Sequence, residues 1–100
     1  MMFRQKRTPV LARREVRVCN KLGLHARPAA HFVKQVRTFR SEIWLITADG
    51  RFAASSLIEI LRANLDFGAP ATLEANGVDA EEAVERLQKL LGELDKFDQS

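Results

Sequence analysis

The sequence contains a single cysteine, Cys19, so no disulfide can form within the chain. We expect this thiol to be reduced and to act as a small apolar residue of a strand, which fits a reducing cytosol. No run approaches the roughly 20 consecutive apolar residues that span a membrane. The opening MMFRQKRTPVLARR also has no continuous apolar stretch of the kind found in secretory signals. We therefore predict a cytoplasmic protein with no direct membrane insertion.

Histidine is also scarce, because the chain has only His25 and His31, and no carboxylates accompany them at the spacing of metal ligands. We predict no metal site and no cofactor, and we interpret His31 as an ordinary surface residue. No internal repeat, low-complexity run or linker divides the 100 residues. A hydrophobic content of 46% is enough for one core, so we expect a single small domain.

Positive charge is concentrated at the start of a chain whose net charge is only +3. We predict a flexible basic extension over residues 1–14, a domain over residues 15–97 and a short tail over residues 98–100. Without the extension the domain is nearly neutral, and it has no aromatic stacking platform or base-reading motif, so we predict no nucleic-acid partner. The basic residues of the extension are Arg4, Lys6, Arg7, Arg13 and Arg14.

The first half of the domain predicts a strand, a helix and a hairpin. The valine-rich alternation of EVRVCN, residues 15–20, is typical of a strand. Pro28 suits the first turn of a helix, where its missing N–H is no loss. The runs SEIWLIT and RFAAS flank the turn signal ADG, which predicts a hairpin. The apolar residues at helical spacing after Pro28 are Ala29, Phe32, Val33, Val36 and Phe39.

The second half predicts a short helix, a strand and a long helix. Ser55 or Ser56 could cap the helix within SSLIEILRANL, and APATLEA alternates as a strand does. Asp79 followed by Glu82 predicts an acidic capping box at the start of the last helix. The order is βαββαβα, which predicts an α/β (α+β) open-faced sandwich, since the amphipathic helices must cover one face of a sheet. The apolar stripe of the last helix comprises Ala80, Ala83, Val84, Leu87, Leu90, Leu91 and Leu94.

The stretch KLGLHARPAA, residues 21–30, places His25 at the N-terminus of the first helix. A helix N-terminus carries about half a positive charge and accepts phosphate readily. Arg27 adds a guanidinium suited to phosphate oxygens, and a neutral ring nitrogen of histidine is a nucleophile. These residues predict a histidine that carries a phosphoryl group. On the residues alone, a histidine that only caps the helix explains the stretch equally well.

The segment GLHARPAA resembles the active-site signature of the HPr family, the histidine phosphocarriers of the bacterial sugar phosphotransferase system. The segments FVKQVRTFRSEI, SLIEIL and GVDAEEAVERLQKLLGELD are similar to later parts of the family, so the resemblance covers roughly residues 15–97. It implies an HPr-like sandwich with a four-stranded antiparallel sheet and helices on one face. It also implies a monomeric phosphoryl carrier that is not itself an enzyme.

The resemblance implies a role for each residue of the signature. His25 matches the histidine that is phosphorylated on Nδ1, and Arg27 matches the arginine that steadies the phosphoryl group. Ala26 and Pro28 belong to the helix N-terminus that supports it. The implied partners are enzyme I, which is charged by phosphoenolpyruvate, and the IIA units of sugar permeases.

The resemblance further implies a docking patch around His25 and a regulatory serine. Ser56 matches that serine best and Ser55 is the alternative, so HPr kinase/phosphorylase is a further candidate partner. Ser55 stands where the family usually has lysine, and Glu59 adds an acid to the patch, so an ordinary helix cap explains Ser56 equally well. For Leu57 and Ile60 plain core packing is the alternative. The predicted patch comprises Ala26, Ala30, Leu57 and Ile60, with Lys34 and Arg37 at its rim.

Two functions remain open at this point. The first is a phosphocarrier in sugar uptake or in a nitrogen- or carbon-regulatory branch of the same relay. The second is an HPr-like regulatory module that signals through protein contacts and Ser56 phosphorylation. The presence of His25 favours the first, because regulatory relatives tend to lack this histidine.

Overall fold

The computed structural model describes residues 9–19 and 21–94. The predictions made for residues 1–8 and 95–100 therefore lie outside the described residues. The described elements follow the predicted βαββαβα order, and the four strands form one antiparallel sheet in the order β1-β4-β2-β3, which confirms the predicted class. The elements are β1 (Val10–Arg17), α1 (Ala26–Val36), β2 (Glu42–Thr47), β3 (Gly50–Ala53), α2 (Leu57–Arg62), β4 (Pro70–Gly77) and α3 (Ala80–Leu91).

One hydrophobic core lies between the sheet and the helices. Leu45 of β2 and Leu73 of β4 are paired in register, and both are fully buried. Phe32 of α1, Ile60 of α2 and Leu87 of α3 are buried in the same core. Full burial of a side chain of this size contributes roughly 1.5–3 kcal/mol. The core therefore fixes the position of α1, whose N-terminus carries His25.

The first strand begins earlier than the sequence predicts. All eight residues of β1 pair with β4, from Val10 opposite Gly77 to Arg17 opposite Pro70. Residues 10–14 of the predicted extension thus belong to the sheet, and the strand ends at Arg17 instead of continuing to Asn20. The arginines obscure the strand pattern in the sequence, since only Ala12 marks the inward face before Val16.

Two further residues depart from their predicted places. Helix α1 ends at Val36, so Phe39 lies beyond it, where the ring packs against the core beneath the guanidinium of Arg86. Cys19 follows β1 and is exposed, so the prediction of an apolar strand residue is wrong. Of the helices in the described part of the chain, the longest has 12 residues, and none is both long and apolar enough to cross a bilayer.

The outer face of the sheet carries a charged row over its centre. Glu74 of β4 pairs with Arg13 of β1 and with Trp44 of β2, and only 8% of its side chain is exposed. Arg13 Nη2 lies 3.0 Å from Glu74 Oε1, and Arg51 Nη2 of β3 lies 3.1 Å from Oε2. The Arg51 guanidinium also lies 4.7 Å from the centroid of the Trp44 ring. Two guanidiniums thus compensate a carboxylate that would be costly to bury alone.

The capping box predicted for Asp79 does not form. Asp79 is the N-cap of α3, but its side chain makes no capping hydrogen bond. Its carboxylate instead accepts hydrogen bonds from the backbone N–H groups of Arg40 and Ser41 at 2.8 and 2.9 Å, and from the Ser41 hydroxyl at 2.6 Å. A Cβ on Gly77 would lie 2.5 Å from Ser41 Cα, so this glycine leaves room for the contact. Asp79 therefore joins the start of α3 to the α1–β2 connection.

We expect this contact to make stability depend on pH. Burial disfavours the ionised Asp79, but the hydrogen bonds from Ser41 and Arg40 outweigh it and hold the pKa below the usual 3.8. A carboxyl with a lowered pKa stabilises the fold above its unfolded pKa, and this stabilisation is lost as the pH falls through the folded value. Asp79→Asn should lower the free energy of unfolding by about 1 kcal/mol at pH 7, and this difference should shrink below about pH 4.

Urea unfolding of both proteins between neutral and acid pH measures this difference. Asp49→Asn, at an exposed aspartate of the β2–β3 turn, is the matched control and should leave stability nearly unchanged. A difference for Asp79→Asn that stays constant over the whole pH range would contradict the assignment.

Candidate functional site

His25 lies at the N-cap of α1, as the sequence predicts. Its backbone is extended, with φ −92° and ψ −171°, and its carbonyl accepts the N–H of Ala29 at 2.8 Å. The imidazole makes no side-chain capping hydrogen bond, which disfavours the interpretation that His25 is present only to cap the helix. The residue is half-buried, so part of it has contact with solvent. A macromolecular partner can therefore reach this position of the fold.

The first turn of α1 presents its positive end beside this imidazole. The residues of this turn are Ala26, Arg27 and Pro28, and none of them is acidic. Pro28 is buried and is the third helical residue, a position where its missing N–H removes no hydrogen bond within the helix. Ala26 and Arg27 are exposed. The arrangement suits a dianionic group that must be held and then released, because the site is shallow and open to water.

The loop before His25 is fixed against the α2–β4 connection. The N–H of Leu24 donates to the carbonyl of Leu65 at 2.9 Å, and the N–H of His25 donates to the carbonyl of Gly23 at 2.9 Å. Gly23 has φ +77°, and a Cβ at this residue would lie 2.6 Å from the Leu65 oxygen. The glycine of the GLHARP signature is thus required both by the backbone conformation and by this close approach.

The exposed side of α1 carries positive charge next to the site. Arg27, Lys34 and Arg37 recur at intervals of seven and three residues and are all exposed, with Ala30 exposed between them. Arg37 is positioned by a hydrogen bond from its Nε to the carbonyl of Ser55 at 2.9 Å. This face, which we call the cationic stripe (Arg27, Lys34 and Arg37), favours a partner with acidic side chains.

The prediction that Ile60 belongs to a docking patch is wrong. Ile60 is fully buried and belongs to the core, while Leu57 is half-buried and packs against it. The docking prediction missed apolar residues that are exposed. Ile58 and Leu61 of α2 are 70% and 40% exposed. Because α2 has only six residues and four of them are large and apolar, its pattern does not reveal which face is buried.

Two more exposed apolar residues lie in the loops on either side of the Leu24–Leu65 contact. Leu22 is 64% exposed and Phe67 is 62% exposed. Apolar residues in loops show no periodicity, so the sequence does not reveal whether they are buried or exposed. Like Ile58 and Leu61 of α2, they are exposed apolar residues, placed in the connections before α1 and after α2. Exposed apolar residues contribute to protein–protein contacts where they lie together.

The two serines before α2 have different surroundings. Ser56 is the N-cap of α2, and its hydroxyl accepts the N–H of Glu59 at 3.3 Å. Ser55 is exposed, and its carbonyl accepts the Arg37 guanidinium. Of the two predicted candidates for the cap, the structure therefore selects Ser56. His31 is half-buried on the second turn of α1 and lies near Arg27, Ala30 and Lys34.

Comparisons with known proteins agree with this architecture. The family model described as "PTS HPr component phosphorylation site" matches residues 12–93. A phosphocarrier protein HPr of Buchnera aphidicola is 40% identical over 81 residues, which cover 81% of this chain and 95% of the relative. A phosphocarrier protein NPr of Shewanella violacea is 33% identical over 87 residues, covering 87% and 93%. A crystal structure of HPr from Thermoanaerobacter tengcongensis superposes with a TM-score of 0.81 at 34% identity, covering 85% of this chain and 96% of the other.

Proposed function

The chain belongs to the HPr family of phosphocarrier proteins, and from this premise we propose that His25 carries the phosphoryl group on its Nδ1 nitrogen. One observation carries the proposal: the half-buried His25 lies at the positive end of an eleven-residue helix, two residues before the exposed Arg27. The protein is then a carrier and not an enzyme, since it accepts the phosphoryl group from one protein and passes the same group to the next.

The chemistry at His25 requires a neutral ring nitrogen and a donor protein that already carries a phosphoryl group. The Nδ1 lone pair attacks the phosphorus of a phosphorylated donor, an N–P bond forms, and the bond between phosphorus and the donor breaks. In the second step a nucleophile of the acceptor attacks the same phosphorus, and His25 leaves as a neutral imidazole. No water, metal or cofactor is consumed in either step.

The surroundings of His25 suit a group that must be passed on. The N-terminus of α1 and the guanidinium of Arg27 stabilise negative charge on the phosphoryl oxygens. Both lie at the surface, so the phosphoryl group remains within reach of an acceptor. A deep site would bind the phosphorylated state too tightly and would slow its transfer. We therefore assign Arg27 to steadying the phosphoryl group, with Ala26 and Pro28 as part of the helix terminus.

The donor that we propose is enzyme I, charged by phosphoenolpyruvate, and the acceptors are IIA units of sugar permeases. Both would dock on the cationic stripe and on the apolar residues beside it, which include Ala26, Ala30, Leu57, Ile58 and Leu61. We further propose, from membership of this family, that the carrier acts as a monomer in the cytoplasm.

A second relay is supported by one comparison. The similarity to a phosphocarrier protein NPr favours a regulatory branch, such as a nitrogen branch, as an alternative destination for the phosphoryl group. Ser56 is the proposed site of further regulation, since a phosphate there would add negative charge beside the apolar residues of α2. Glu59, one turn along α2, already brings an acid to this point. Absence of phosphoserine after incubation with HPr kinase/phosphorylase and ATP would rule out regulation by phosphorylation at Ser56 and at Ser55.

Transfer from labelled phosphoenolpyruvate through enzyme I tests the carrier function directly. We expect one phosphoryl group per chain, stable in alkali and labile in acid, as a phosphoramidate is. The nitrogen-15 shifts of the His25 ring should show that Nδ1 carries it. Unlabelled protein in the presence of an active enzyme I from the same organism would favour the regulatory module instead.

The cationic stripe should determine how readily enzyme I is recognised. Lys34→Glu reverses one of its three charges, and we expect the apparent KM for transfer from enzyme I to rise about tenfold at low salt, with kcat little changed. Added salt should shrink the difference, because exposed charges are screened. Lys89→Glu, on the exposed side of α3, is the matched control. An equal rise in KM for both variants would show that overall charge, and not the stripe, is responsible.

A further inference from the structure

Asn64 has a backbone conformation that ordinary residues rarely adopt. Its φ is +52°, and within the described ranges 9–19 and 21–94 it alone among the non-glycine residues has a positive φ. It directly follows Ala63, the C-cap of α2, and its N–H donates to the carbonyl of Leu61 at 3.1 Å. Asparagine tolerates this left-handed conformation far better than β-branched residues do. The turn at Asn64 therefore ends α2 and sets the direction of the next peptide group.

That next peptide group contacts the loop of His25. The Leu65 carbonyl accepts the N–H of Leu24 at 2.9 Å, and Gly23 approaches the same oxygen so closely that a Cβ would lie 2.6 Å away. Leu65 is only 7% exposed and belongs to the hydrophobic core. Leu65 is thus held by the core through its side chain and by Leu24 through its carbonyl.

A short series of contacts runs from this carbonyl to the imidazole. Leu24 is bonded to Leu65, and His25 follows Leu24 directly. The N–H of His25 bonds to the carbonyl of Gly23, and its own carbonyl accepts Ala29 of α1. The backbone of His25 is therefore held from two sides, by α1 and by the residues that follow α2.

We propose that Asn64 is a positioning residue for phosphoryl transfer. Its left-handed backbone directs the Leu65 carbonyl at Leu24 and so sets where the His25 imidazole stands relative to the N-terminus of α1. The inference rests on the proposed role of His25 as phosphoryl carrier. It adds a residue that contacts neither the phosphoryl group nor the imidazole and that acts through Leu65 and Leu24.

Four variants test the proposal. Asn64→Gly keeps the left-handed conformation, whereas Asn64→Val disfavours it strongly and Asn64→Ala disfavours it mildly. Gly68→Val is the matched control, since Gly68 also has a positive φ, +82°, and lies in the same connection, and a Cβ at this residue would meet no atom within 4 Å. It strains the backbone to a similar degree, but the hydrogen bonds of Gly68 go to Val18 and Arg17 and not to Leu24 or His25.

Three readouts separate positioning from stability. Hydrogen exchange of the Leu24 amide reports the bond to Leu65, the NMR chemical shifts of the His25 ring report its surroundings, and kcat and KM are measured for transfer from enzyme I. For Asn64→Val we expect faster Leu24 exchange, changed His25 ring shifts and a kcat lowered roughly tenfold at similar KM. Asn64→Ala should show the same changes with smaller magnitude, and Asn64→Gly should keep kcat within twofold of the wild-type value.

The control and the readouts decide the outcome. Gly68→Val should lower the melting temperature but leave the Leu24 exchange, the His25 ring shifts and kcat near wild type. An equal loss of kcat in Gly68→Val would reduce Asn64 to a structural role. Should Asn64→Val fail to fold, Asn64→Ala decides alone, and wild-type kcat and Leu24 protection in that variant would overturn the proposal. If the wild type accepts no phosphate, the function proposed for His25 fails, while Leu24 exchange and the NMR shifts of the His25 ring still test the positioning.

Discussion

His25→Ala should accept no phosphoryl group from phosphoenolpyruvate and enzyme I under conditions in which the wild type is fully labelled. Alanine removes the Nδ1 lone pair that attacks phosphorus, and no positioning by Arg27 or the helix N-terminus replaces a missing nucleophile. The expected loss of labelling therefore reaches the detection limit of the assay. Autoradiography of alkaline gels, or intact-protein mass spectrometry, measures it.

His31→Ala is the matched control for this prediction. His31 lies on the same helix, one and a half turns further on, and is half-buried like His25. We expect this variant to be labelled at nearly the wild-type rate. Because both residues lie at the surface of α1 and are only half-buried, both variants should unfold within about 1 kcal/mol of the wild type. Label retained by His25→Ala, or lost from His31→Ala, would move the carrier site away from His25.

Gly23→Ala should destabilise the fold and disable the site together. The added Cβ would lie 2.6 Å from the Leu65 oxygen and 3.1 Å from Asp66 Cα, and both are backbone atoms that no side-chain rotation can move. The positive φ of Gly23 adds the cost of a left-handed alanine. We expect the free energy of unfolding to fall by roughly 2–4 kcal/mol. Urea unfolding measures this loss.

Gly68→Ala separates the two causes of that loss. Gly68 has nearly the same φ, +82°, but a Cβ there meets nothing within 4 Å. Its substitution should cost only the conformational part, roughly 1–2 kcal/mol, and should leave phosphoryl transfer unchanged. Gly23→Ala, in contrast, should transfer phosphate at least tenfold more slowly, because the loop that leads into His25 must move. Equal stability losses for the two variants would mean that the contact with Leu65 is not close.

Local chemistry made much of the site predictable. Pro28 and the apolar spacing after it indicated where α1 begins, and His25 at its N-cap followed from that start. The turn signal ADG equally indicated the hairpin, and the helical spacing of apolar residues indicated α3. These features depend on residues close together in the chain, which is why a single sequence reveals them.

Three of the wrong predictions involve residues whose partners lie far away in the sequence. Asp79 has the local pattern of a cap, but the N–H groups it accepts belong to Arg40 and Ser41, some 38 residues earlier. Ile60 and Ile58 are equally apolar, and only packing against the sheet decides that one is buried and the other exposed. The start of β1 was hidden in the same way, since Arg13 meets its acidic partner Glu74 only across the sheet, 61 residues further along the chain.

The row over the outer face of the sheet constrains the order in which its members can be replaced during evolution. While Glu74 remains, the loss of either Arg13 or Arg51 leaves its carboxylate with one partner. The loss of both would leave a buried charge without compensation, which typically costs about 3–5 kcal/mol, roughly half the stability of a small domain. A lineage that abandons this network must therefore exchange the acid before it exchanges the second base.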